Sequence, residues 1–162
     1  MDFTGKTVLI TGASSGIGAA CAQLFSQHNA RLILCARRID RMSQLAKQLK
    51  SEYGSDYHLL PMDVRDFSNV KHELDALPKP WQDVDVLINN AGLAAGLETV
   101  QTADIQDWDE MIDTNVKGLL YMTRLILPGM IERNTGHVIN IGSIAGHQVY
   151  PKGSVYCATK HA

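Results

Sequence analysis

Tyr156 and Lys160 stand four residues apart in the run Tyr156-Cys157-Ala158-Thr159-Lys160, a spacing that puts both side chains on one face of a helix. A phenol titrates near pH ~10 and is a poor base at neutrality, so a neighbouring ammonium is what favours its phenolate. Such a pair can exchange a proton with a substrate oxygen. Ser143 and Asn115 lie upstream; they are residue types that also cap helices and shape turns. Neither histidine nor cysteine offers a competing chemistry. His28, His58, His72, His137, His147 and His161 show no HExxH or other paired ligand spacing, and Cys21, Cys35 and Cys157 include no CxxC. No metal site is expected, and the thiols read as buried and structural.

A second chemical signal opens the chain. Thr11-Gly12-Ala13-Ser14-Ser15-Gly16-Ile17-Gly18 follows an apolar run and precedes a helical pattern. Glycines there permit a tight turn and a close approach of backbone to a pyrophosphate, while the following helix aims its free N–H groups at the anion. The spacing is GxxxGxG rather than the GxGxxG of the usual dinucleotide fingerprint, so its strand-before and helix-after setting carries much of the argument. At the end of the next apolar run come Cys35-Ala36-Arg37-Arg38. An acidic side chain at that place would favour NAD, whereas two guanidinium groups suit a 2'-phosphate; cations at the positive end of a helix are poorly placed without an anion. NADP is the cofactor expected. Asp40 is the nearby acid that could compete for the ribose, but it lies too far into the helix to be preferred.

The elements that must position these residues follow from the apolar pattern. Thr7–Ile10, Leu32–Cys35, His58–Leu60, Val84–Ile88 and Val138–Ile141 are short and rich in β-branched residues, and they read as parallel strands buried on both faces. Between them, Ile17, Ala20, Cys21, Leu24 and Phe25 predict one helical stripe, and Ile39, Met42, Leu45 and Leu49 a narrower one. Pro78-Lys79-Pro80 is expected to stop the third helix before the fourth strand. Asn115 to Arg133 is apolar on more than one side, so one face is expected on the sheet and another against a second subunit. Strands alternating with helices predict an α/β doubly wound sheet in a single domain over residues 1–162.

Composition excludes several classes. The chain has 162 residues, 45% of them hydrophobic, enough for a core and against disorder. A formal net charge of -2 gives no reason to expect nucleic acid. No apolar run is long enough to span a bilayer, and the first residues do not read as a signal peptide, so a cytoplasmic protein is expected.

Taken together, Thr11 to Gly18, Asn89-Asn90-Ala91-Gly92, Asn115, Ser143 and the Tyr156/Lys160 pair resemble the short-chain dehydrogenase/reductase family across essentially the whole chain. The resemblance implies a Rossmann-like fold and hydride transfer to or from NADP(H). It implies that Tyr156 exchanges the proton, Lys160 also holds the nicotinamide ribose, Ser143 orients the substrate oxygen and Asn115 holds a water behind Lys160. Gly12, Ser14, Ser15, Gly16, Ile17, Gly18, Arg37, Arg38, Asn90, Ala91 and Gly92 are implied to line the cofactor cleft, with Asp63 at the adenine. His147 and Tyr150 suit either the substrate cleft or an exposed loop.

Asn89–Leu97 and Met111–Ser143 look like the branch that oxidises serine, allo-threonine and related 3-hydroxy acids. Another small carbonyl substrate, or a cofactor-binding regulatory module without turnover, remain alternatives. Nucleotide-sugar relatives share Tyr-x-x-x-Lys but carry a different glycine turn. Family members continue past the position of Ala162, and the full-length protein is expected to form a homodimer or homotetramer. The domain is therefore expected to be incomplete at its C-terminus, with a missing sixth strand beside Val138–Ile141.

Overall fold

Continuous apolar runs become parallel strands when helices cover both faces of the sheet. In a computed structural model, which describes residues 2–162, these runs form β1 (Thr7–Thr11), β2 (Arg31–Ala36), β3 (Tyr57–Pro61), β4 (Val86–Asn89) and β5 (His137–Asn140). All pairings are parallel, in the order β3-β2-β1-β4-β5. The helices are α1 (Gly16–Gln27), α2 (Ile39–Tyr53), α3 (Phe67–Asp75), α4 (Lys79–Gln82), α5 (Ile105–Ile112), α6 (Leu119–Glu132) and α7 (Ser154–His161). No described helix is long and apolar enough to cross a membrane.

Alternation along β1 divides the core. Val8 and Ile10 pack with Ala22 of α1 and Met42, Ala46 and Leu49 of α2, whereas Leu9 faces Val70 of α3 and Met122 and Met130 of α6. Each large side chain so buried contributes ~1.5–3 kcal/mol of hydrophobic stabilisation. β1, β2 and β4 are buried on both faces as expected. The edge strands are not: β3 is buried fully only at Leu60, and β5 has no fully buried residue. An edge strand has one neighbour instead of two, and its outer residues lose the cover that neighbour would give. β4 also begins at Val86, with Val84 and Asp85 in the irregular segment that enters it.

Two helical expectations change. The apolar stripe proposed for α1 is out of phase, since Ile17 is 60% and Leu24 53% exposed while Gly18, Ala22 and Ser26 are buried. Small residues at i, i+4 and i+8 let the helix approach the sheet closely, and that close approach selects the inward face. α3 ends at Asp75, before the prolines, and Pro78 and Pro80 instead start the short helix α4, where a missing N–H costs nothing. The apolar segment read as Asn115 to Arg133 is entered through a π-helical turn, Asp113–Gly118, which holds Asn115 and joins α5 to α6. α6 leaves Leu120, Leu127 and Ile131 exposed on the side away from the sheet.

Candidate active site

The strand order reverses direction at β1, whose neighbours are β2 and β4, and open α/β sheets form their binding crevice at such a point beyond the strand C-termini. A cleft of about 470 Å³ lies there. Its floor is tied together by Thr11, whose hydroxyl oxygen accepts from the backbone N–H groups of Asn90 (3.0 Å) and Ala91 (2.9 Å). Asn90 returns the tie, with Nδ2 donating to the carbonyls of Thr11 (2.9 Å) and Gly12 (3.3 Å). Asn90 thus braces the glycine turn from below as well as lining the cleft.

Gly12 has φ +66°, and a Cβ on it would meet Asn90 Nδ2 at 2.8 Å. Gly18 would meet the Gly12 carbonyl oxygen at 2.5 Å and Asn90 Nδ2 at 2.6 Å. Gly18 lies beneath the cleft and does not line it, whereas Gly12, Ser14, Ser15, Gly16 and Ile17 do. No side chain caps α1, so its leading N–H groups stay open at the cleft, where a Cβ on Gly16 would find nothing within 4 Å. An anion fits that opening. Arg38 reaches back over the turn and its Nη2 donates to Ser14 Oγ (3.1 Å) and Ser15 Oγ (3.0 Å).

Arg37 behaves differently. Its Nη1 lies 3.8 Å from Asp63 Oδ2 and 3.6 Å from Glu110 Oε1. Arg65 holds the same carboxylates more tightly, through Nε and Nη2 to Asp63 Oδ2 at 3.0 and 2.7 Å and Nη1 to Glu110 Oε1 at 3.0 Å. Partial burial pushes the Asp63 carboxyl up, but hydrogen bonds from Arg65 and the positive charges of Arg65 and Arg37 outweigh it and hold it below the usual carboxylate range. Asp63, Arg37 and Arg38 all line the cleft, yet only Arg38 has neutral hydroxyls as its partners.

At the other end, α7 places Tyr156 and Lys160 on the cleft wall, and Lys160 Nζ donates to the Ile141 carbonyl at 3.0 Å. Asn115 is buried behind them. Its Oδ1 accepts from Leu93 N (2.9 Å), while Nδ2 donates to Leu93 O (2.8 Å) and Thr159 Oγ1 (3.0 Å). The π-helical turn therefore joins the segment after β4 to α7, and both amide hydrogens of Asn115 are committed to that joint. Ser143 lies just past the lining residue Gly142, three residues beyond the end of β5, where its Oγ accepts from Ala145 N at 3.2 Å and caps a 3-10 turn, Ile144–Gly146. A small cavity of about 40 Å³ adjoins the cleft, sharing Ala94 and Tyr156, and Tyr150 lines it. His147 is exposed and lines neither.

Leu93, Ala94, Thr114, Ile141 and Gly142 also line the cleft, and the sequence reading missed them. They supply wall and backbone rather than reactive groups; the signal for most of them was their place just after a strand C-terminus. Arg65 and Glu110 had no signal at all. Cys35 lines the cleft too, fully buried, with desolvation pushing its thiol up to about 12, so it stays protonated and inert as expected. Cys157 is also buried and Cys21 half-buried; no metal-binding cluster exists among the described residues.

Comparison with known proteins agrees with this architecture. An NADP-dependent 3-hydroxy acid dehydrogenase of Escherichia coli O6:H1 is 48% identical over 153 residues, 94% of this chain and 60% of the relative. The chain thus spans about three fifths of that relative's length. A crystal structure of serine dehydrogenase from Escherichia coli superimposes with a TM-score of 0.87 at 46% identity, over 96% of this chain and 70% of the other. The closed form of a serine dehydrogenase complexed with NADP+ gives 0.88 at 46% identity, over 96% and 61%. The family model for short chain dehydrogenases matches residues 6–162, and with the parallel sheet and cleft described above it establishes that this chain belongs to the short chain dehydrogenase family.

Proposed function

We propose that the protein carrying this chain is an NADP(H)-dependent oxidoreductase acting on a small hydroxy or carbonyl compound, with a 3-hydroxy acid such as serine or allo-threonine as the favoured substrate. One observation carries the reading: the cleft has an arginine held by two hydroxyls over an uncapped helix N-terminus at one end and the Tyr156/Lys160 pair at the other. Relatives named as NADP-dependent 3-hydroxy acid dehydrogenases support the substrate class.

In this reading the glycine turn and the open N–H groups of α1 take the pyrophosphate, and Arg38 takes the 2'-phosphate. Asn90, Ala91 and Gly92 shape the floor, and Asp63 and Arg37 border the adenine. Bound NADP(H) supplies or accepts the hydride. Lys160 reaches the nicotinamide ribose, and Tyr156 gives or takes the proton at the substrate oxygen. Ser143 donates a hydrogen bond to that oxygen through its hydroxyl hydrogen, which the cap leaves free because Oγ only accepts there. Asn115 fixes α7 relative to the segment after β4, so that the proton donor stays in register with the cleft. The exposed face of α6 at Leu120, Leu127 and Ile131 is the surface for a second copy, read out by light scattering.

The test is NADPH absorbance in the full-length protein against a panel of 3-hydroxy acids and small carbonyls, with Tyr156→Phe beside it. The variant is expected to bind NADP+ nearly normally and lose at least ~100-fold in turnover. Near-normal turnover sinks the role of Tyr156; silence across the panel favours a regulatory cofactor-binding module.

A further inference from the structure

Two adjacent arginines, Arg37 and Arg38, enter the cleft, and their surroundings are opposite in kind. Arg38 stands at the N-terminal boundary of α2 with its Nη2 on two uncharged hydroxyls of the glycine turn, so its positive charge is undiminished where a phosphate would arrive. Arg37 belongs to a group of two cations and two anions with Arg65, Asp63 and Glu110. Within that group Arg65 makes the short contacts. Arg37 is left 3.6 Å from Glu110 and 3.8 Å from Asp63, close enough for Coulombic attraction and too far for hydrogen bonds, so its donors remain uncommitted.

We propose that Glu110, from α5, is a positioning residue for cofactor selectivity: with Asp63 it holds Arg37 away from the 2'-phosphate, which Arg38, Ser14 and Ser15 read alone. The inference rests on the NADP(H) reading above. It makes the two arginines unequal. Arg38→Ala removes a charge-assisted contact and weakens a 2'-phosphorylated ligand roughly ten- to a hundredfold, whereas Arg37→Ala changes the preference for a 2'-phosphorylated over an unphosphorylated ribose by no more than about twofold. Glu110→Gln removes half the negative charge opposing Arg37 and lets its uncommitted donors turn to the phosphate. The restraint is a pair of partly exposed side chains, so the gain is about two- to fivefold.

Calorimetric titration of the full-length protein with adenosine 2',5'-bisphosphate and with AMP decides the matter, because the two fragments differ only in the phosphate at issue. Glu110→Gln is expected to tighten the bisphosphate and leave AMP unchanged. A carboxylate removed from near any anion site tightens binding by its field alone, so the same substitution is repeated on Arg37→Ala. If Glu110 acts through Arg37, the gain vanishes there. A general loss of structure would weaken both fragments together and is read separately through AMP. An unchanged or weakened bisphosphate affinity in Glu110→Gln, or a gain that persists without Arg37, overturns the proposal while the NADP(H) reading stands. Equal affinity of the unaltered protein for the two fragments overturns both.

Discussion

Gly18→Ala isolates the close approach of α1 to the strands. Gly18 has no left-handed φ, so backbone conformation does not oppose a methyl group, and alanine in a helix gains ~0.5–1 kcal/mol over glycine. Space opposes it. The new Cβ would lie 2.5 Å from the Gly12 carbonyl oxygen and 2.6 Å from Asn90 Nδ2, where ordinary contact begins at 3.4 Å. Relief needs α1 or the turn to move by about 1 Å. Neither neighbour gives easily, since one is backbone and the other donates to the carbonyls of Thr11 and Gly12. Overpacking of this kind costs ~1–3 kcal/mol, and loosening the two Asn90 bonds adds ~1 kcal/mol. Set against the helical gain, the net loss is ~1–3.5 kcal/mol. Thermal unfolding followed by circular dichroism should show the midpoint falling ~2–4 °C per kcal/mol for a chain of this size, with NADP+ affinity reduced as the turn deforms. Gly142→Ala, where a Cβ meets nothing within 4 Å of the protein and φ is not left-handed, is the stability control whose thermal midpoint should stay level. A Gly18→Ala protein as stable as its parent, or more so, would show that helix propensity outweighs packing and would refute the argument.

Asn115→Ala should cost ~2–4 kcal/mol in urea unfolding, because it leaves the Leu93 N–H and carbonyl without their partner and takes one donor from the Thr159 hydroxyl, which keeps only its bond to the Tyr156 carbonyl, and kcat should fall with α7 no longer fixed; a loss under ~1 kcal/mol would mean that water replaces the amide. Asp63 makes acid stability informative. Its folded carboxyl titrates lower than in the unfolded chain, so its contribution is complete above the unfolded value near pH ~4 and is lost as pH falls through the depressed folded value. Asp63→Asn should therefore flatten the acid limb of a stability-against-pH curve below pH ~4. Parallel curves for the two proteins would show that the Arg65 contact does not persist in solution.

The parts of this protein that depend on neighbours in sequence could be read without coordinates. β1 and the glycine turn are consecutive, the helix after them follows from spacing, and Tyr156 and Lys160 share a face because a helix repeats every 3.6 residues. Five apolar runs between helical segments leave few arrangements besides a parallel sheet, which is the one observed. The inward face of α1 was misread for a reason of the opposite kind. Hydrophobicity marks what a helix would bury by itself, whereas Gly18, Ala22 and Ser26 are buried because the sheet comes close enough to admit only small residues.

Only the tertiary structure could separate Arg37 from Arg38. Identical in type and adjacent in sequence, they differ in partners that arrive from elsewhere: Ser14 and Ser15 from the first turn, Asp63 from beyond β3, Glu110 from α5. Asn115 shows the same division, since its type suggested a turn while its hydrogen bonds to Leu93 and Thr159 join segments 22 and 44 residues distant. Local pattern determines which elements form, because propensity and periodicity act over a few residues. The charge a ligand meets in the cleft is the sum of side chains brought together by folding, and Coulomb's law depends on their separation in space rather than along the chain.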